Sequence, residues 1–167
     1  MAGIKDAITS LMAKIATDTT YKMVRVWNNQ LQFLESQQIE SIPFPCAFVE
    51  VLMPNNYTQL ALGITESDIT FRVHIGQVEY DAGDGTMEQN LSIFGLRDAM
   101  IGNLTYFEPT ACSHLMKVAE NQDYSHTDVY HYTIDFICSF IDDKGDETRG
   151  QTTAGPPTLL ETDITIL

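Results

Sequence analysis

The stretch Thr127-Asp-Val-Tyr-His-Tyr-Thr-Ile-Asp-Phe-Ile-Cys-Ser-Phe140 decides the fold class. Tyr130, Tyr132, Ile134, Phe136, Cys138 and Phe140 share one parity, and mostly polar residues fill the other. Side chains alternate across a strand with period two, so the segment predicts a strand with one face in a core. Upstream, Ile69, Phe71, Val73 and Ile75 alternate against Thr70, Arg72, His74 and Gly76, which predicts a second such strand from Asp68 to Tyr80.

Working outward, Cys46 to Met53 is apolar on both parities apart from Glu50, the pattern of a central strand covered on both faces. Ile42-Pro-Phe-Pro45 forces extended backbone before each proline and feeds that strand. Tyr57 to Leu62 reads as a further strand, with Gly63 to Ser67 as a turn or a bulge. His114 to Ala119 pairs with Val129 to Ile141 as a closing hairpin across the polar loop Glu120 to Asp128. Lys22 to Leu34 reads as a hairpin turning at Asn28-Asn29, because Asn tolerates positive φ; a helix from about Asn29 to Gln38 is the alternative.

Two helices accompany the strands. Ile4, Ile8, Leu11, Met12 and Ile15 recur at helical spacing within Ala2 to Thr17. Thr86 and Gln89 form a capping box for a helix running to about Leu104, in which Gly95 and Gly102 should permit close packing on the sheet. The sum is an α+β domain over residues 1–142, a mostly antiparallel sheet packed by an N-terminal and a central helix. Residues 143–167 follow as a Gly/Pro-rich linker and an extended C-terminal arm, whose end regains strand character through Leu159, Leu160, Ile164, Ile166 and Leu167. That arm either adds to its own sheet, adds to a neighbour's edge as a subunit contact, or stays unstructured.

The chain of 167 residues carries 23 acidic and 9 basic residues, a formal charge of −14. Such a balance argues against gripping phosphate, since nucleic-acid affinity comes mainly from Lys and Arg displacing counterions. No apolar run approaches the roughly 20 residues that span a bilayer, and no signal segment opens the chain, so a soluble, unprocessed protein is expected. Cys46, Cys112 and Cys138 lack the spacing of a disulfide framework or a zinc knuckle, and Cys138 falls on the apolar parity of its strand.

His126 and His131 are five apart, which on a strand sends them to opposite faces, while His74 and His114 lie on different strands. Structural or surface roles are expected for all four. Asp81-Ala-Gly-Asp-Gly85 departs from a calcium loop at its third and twelfth positions, and Asp142 to Glu147 fails similarly, so both read as turns. With no nucleophile elbow and no phosphate-cradling loop, neither an enzyme nor a cofactor is indicated.

Pro43-Phe-Pro45 leading into Ala47-Phe-Val-Glu-Val51, Ile69-Thr-Phe-Arg-Val-His-Ile75 before the second helix, and Asp128-Val-Tyr-His-Tyr-Thr-Ile-Asp-Phe136 closing the sheet resemble the tail terminator proteins of long-tailed bacteriophages. The resemblance covers roughly Ile4 to Asp142. It implies a virion structural protein: a homo-oligomeric ring, usually hexameric, that caps the tail tube, meets the head–tail connector, and is assembled in the host cytoplasm. DNA would pass through such a ring without specific binding. The segment after Asp142 departs from the smallest members and keeps a related neck or head–tail joining protein open; a non-viral α+β ligand-binding module, with the helix Thr86 to Leu104 as a pocket wall, is the reading from another class.

Overall fold

The computed structural model describes residues 3–31, 42–54, 56–61, 63–78, 91–123 and 129–145. In chain order the elements are α1 (Ile4–Ile15), β1 (Met23–Val26), β2 (Cys46–Leu52), β3 (Thr58–Ala61), β4 (Ile64–Gln77), α2 (Ser92–Leu104), β5 (Met116–Asp123) and β6 (Tyr130–Asp142). Among the described residues six strands form one sheet in the order β1-β2-β4-β6-β5, with β3 also on β4. All pairings are antiparallel except β1 with β2. The fold is α+β, as the alternation in β4 and β6 predicts.

The apolar parity of the central strands lines one face. Ile69, Phe71, Val73 and Ile75 of β4 meet Ile134, Phe136, Cys138 and Phe140 of β6 in a single core cluster. Both helices cover this face. From α1 come Ala7, Leu11 and Ile15, from α2 Ile93, Leu96, Met100 and Leu104, each set repeating at three or four residues so that one stripe is buried. α1 starts with the Gly3 amide donating to Asp6 Oδ2 at 2.8 Å, and Asp6 near its start and Lys14 near its end match the helix dipole. The Tyr21 hydroxyl donates to the Leu96 carbonyl at 2.9 Å and pins the chain after α1 to α2.

β2 behaves as the doubly covered strand its sequence predicts: Ala47 and Val49 join the helix-side core, while Cys46 and Phe48 join a second cluster on the opposite face with Leu31, Ile42 and Val129. β2 and β3 pair with the same side of β4, Leu52 opposite Thr70 and Thr58 opposite Glu66. They are two halves of one hairpin arm, interrupted after Leu52 and turned back at Gly63, whose φ of 75° suits glycine.

Three expectations are corrected. The Asn28-Asn29 hairpin does not form: β1 runs parallel to β2, which a two-residue turn cannot connect, and residues 27–45 make the crossover instead. Asn29 does take positive φ (55°), but as the corner from β1 into a helical turn at Gln30 and Leu31; the rest of the alternative helix lies outside the described residues. Gly95 and Gly102 do not pack on the sheet, since both are exposed and a Cβ on either would meet nothing within 4 Å. The strand placed at His114 to Ala119 is Met116–Asp123, reaching into the supposed loop, because an exposed edge strand accepts polar side chains on both parities. The capping box at Thr86 and Gln89, the Asp81 turn, His126 and the arm from Leu159 to Leu167 all lie outside the described residues.

Candidate functional site

The sheet face away from the helices carries the polar parity of β4 and β6, and there the registers assemble a row of titratable side chains. Glu50 of β2 lies opposite Arg72 of β4, and Arg72 opposite Asp135 of β6. Four residues further along, Gly76 of β4 lies opposite His131 of β6, which in turn faces Asp123 of β5. The space beside Gly76 is filled by Cys46, Leu31 and Phe44, and the ring of His131 reaches His74.

The result is a chain of three hydrogen bonds across four strands. His74 Nε2 lies 3.1 Å from Glu50 Oε2, His74 Nδ1 lies 2.9 Å from His131 Nε2, and His131 Nδ1 lies 3.1 Å from Asp123 Oδ2. Both imidazoles are buried, their side chains 5% exposed, whereas the carboxylates at the two ends are 32% and 34% exposed. The rings are close to coplanar, 16° apart with centroids separated by 5.1 Å, so they meet edge to edge. Trp27, which follows β1, lies flat over them at 3.9 Å and 10° from His74 and at 5.5 Å from His131. An indole face over an imidazole pair favours positive charge in that pair.

Burial holds the His74 imidazolium down to about 3, aided by the neighbouring His131 and Arg72 and opposed by Asp123. His74 therefore resists a proton of its own. Sequence reasoning assigned His74 and His131 structural or surface roles and could not bring them together. The available signal was that each stands on the polar parity of a long strand.

The remaining expected positions stay apart from this chain. His114 is exposed, its ring 5.9 Å from that of Tyr106. Burial pushes the Cys46 thiol up to about 12, and its sulfur lies 3.8 Å from the Gly76 carbonyl. Cys138 is in the core, as its parity predicts, with half-buried Cys112 packed against it; their hydrogen bond lowers Cys112 and raises Cys138. Asp142 caps a turn by accepting from the Lys144 amide at 2.9 Å. Among the described residues no three His, Cys, Asp or Glu side chains gather to hold a metal ion, and no helix is long and apolar enough to cross a membrane.

Two open clefts, each of about 610 Å³, lie at the end of the sheet near Glu66, one beside Pro54 and Asp68 and the other beside Cys112 and Ile141; α2 lines neither. The outer strands offer a different kind of surface. Residues 116–121 of β5 are all exposed, with Met116 and Val118 at 50% and 55%, and all of β3 is exposed, including Leu60 at 52%. No family model matches the chain, and no curated protein matches it.

Proposed function

We propose that the chain is a bacteriophage virion structural protein, a tail terminator whose copies close into a ring, a homohexamer, that caps the tail tube and joins it to the head–tail connector in the neck. The observation that carries this reading is the outer edge of β5. It pairs with β6 on one side, has no partner strand on the other among the described residues, and displays Met116 and Val118 to solvent. An open edge with apolar side chains is a template for a strand from another chain. In this reading Leu159, Leu160, Ile164, Ile166 and Leu167 supply such a strand as subunit contacts, and the excess of 23 acidic over 9 basic residues keeps passing DNA from adhering. The protein acts through surfaces and not as an enzyme.

Negative-stain microscopy and light scattering of the purified protein test the reading. Rings of uniform diameter and a mass that is a fixed multiple of the chain support it. A strict monomer over a wide range of concentration and salt overturns it.

A further inference from the structure

The imidazole pair plays no part in ring assembly, and its chemistry is the same whether or not the chain forms rings. Carboxylates accept hydrogen bonds, so His74 Nε2 and His131 Nδ1 each carry a hydrogen toward Glu50 and Asp123. The two nitrogens facing each other at 2.9 Å need one more hydrogen between them. Three hydrogens on four ring nitrogens make one imidazole and one imidazolium. A metal ion would not fit in that place: zinc holds each nitrogen at about 2.0–2.1 Å, so seated between edge-to-edge rings it would hold the nitrogens roughly 4 Å apart.

The 2.9 Å between the facing nitrogens holds one hydrogen and no second. With hydrogens on both facing nitrogens, the bond becomes a contact between two cations, which the terminal carboxylates offset in charge but not in geometry, so the rings must separate. The charged and titratable groups on this face among the described residues are Glu50 and Cys46 from β2, Glu66, Asp68 and Arg72 from β4, Asp123 from β5, Asp135 from β6 and Arg25 from β1. Arg72 is taken by Asp135, and Glu66 accepts from the Ser139 hydroxyl at 2.8 Å. The element free to yield is β1: four residues long, at the sheet edge and paired only with β2 among the described residues, and tied to the rings through Trp27. β4 and β6 are paired on both sides.

We propose that Glu50, His74, His131 and Asp123 form a one-proton latch, which keeps β1 and Trp27 on the sheet while the ring pair holds a single proton and releases them when acid adds a second. Release uncovers the edge of β2, whose first four residues are buried in the closed state.

Trp27 is the single tryptophan of the chain and reports the latch directly. In the full-length protein its emission should shift to the red as pH falls from 6.5 toward 4, between the free and the closed-state values of His74. Over the same range the amides of Arg25 and Trp27, the latter bonded to the Val49 carbonyl at 2.9 Å, should exchange about tenfold faster, after correction for the intrinsic rate, while those of Val73 and Ile134 hold. Nitrogen NMR of the imidazoles at pH 7 should show one imidazolium in the pair, and His74→Asn should abolish the acid step in emission. Two neutral rings at pH 7, an acid step unchanged in His74→Asn, or β1 amides no more labile than those of β4 would each overturn the latch. Should His74→Asn not fold, the nitrogen NMR and exchange data on the unmodified protein decide alone.

Discussion

Arg72 and Asp135 stand directly opposite each other on β4 and β6 and close a two-pronged ion pair, Nε to Oδ1 at 2.8 Å and the guanidinium Nη2 to Oδ2 at 2.9 Å. The guanidinium fork matches the carboxylate, and a lysine cannot reproduce that geometry. Arg72 is 35% exposed, so solvent weakens the pair; a double-mutant cycle with Arg72→Ala and Asp135→Ala should give a coupling of about 1 kcal/mol. Arg72→Lys should lose most of it. A coupling near zero in urea unfolding would show that the fork contributes only alignment.

Acid should weaken the fold through His74. Its folded imidazolium is held down to about 3, whereas the unfolded side chain accepts a proton near 6.5. Between those values the unfolded chain binds more protons, so this stability is complete above pH 6.5 and declines as pH falls toward 3, by about 1.4 kcal/mol per unit at most. Urea midpoints at pH 6, 5 and 4 should fall in that order and flatten in His74→Asn.

Gly76→Ala should destabilise by about 1–3 kcal/mol through overpacking. A Cβ there would lie 2.7 Å from Cys46 Sγ and 3.2 Å from both Leu31 and Phe44. Cys46→Ala in the same protein should recover part of the loss, because the two sites share one space. Additive effects of the two changes in thermal unfolding would refute the steric account.

Phe71 and Phe136 are opposite residues in the register of β4 and β6, and both are fully buried. Truncating either to alanine should cost about 3–5 kcal/mol, measured by chemical unfolding. A cost below 1 kcal/mol would place the centre of the core elsewhere.

Val118→Lys and Met116→Lys act on side chains that are half exposed, so each should change the stability of the subunit by about 0.5 kcal/mol or less. Both should nevertheless abolish rings, since a lysine on an open edge opposes strand addition. Rings that persist in the double variant would move the subunit contact away from β5.

Where one face of an element is buried and the other is not, the chain records it. Ile69 to Ile75 and Tyr132 to Phe140 alternate because the helices cover only one side, and α1 shows its stripe for the same reason. β5 left no such record, as both parities of Met116 to Asn121 meet solvent, and its polar end read as a loop. The parallel course of β1 was hidden because four residues carry no orientation of their own, and the asparagine corner suits a helical turn as well as a hairpin. The histidine chain was out of reach for a further reason: His74 and His131 are 57 residues apart, and only the register that sets Gly76 opposite His131 brings their rings together. Residue identity gave the candidates, and pairing alone made them neighbours.

The broken arm formed by β2 and β3 limits how this surface can evolve. Faces alternate with period two along the hairpin, so its tip around Gly63 keeps register when it lengthens or shortens by pairs of residues on each side, and an odd residue needs an irregularity such as that between Gln59 and Ala61. A single insertion within β4 that no bulge absorbs would exchange its two faces on one side of the insertion, setting Ile69 to Ile75 against the wrong side of the sheet relative to the helices. In register, the extent of the tip is therefore quantised in steps of about 7 Å.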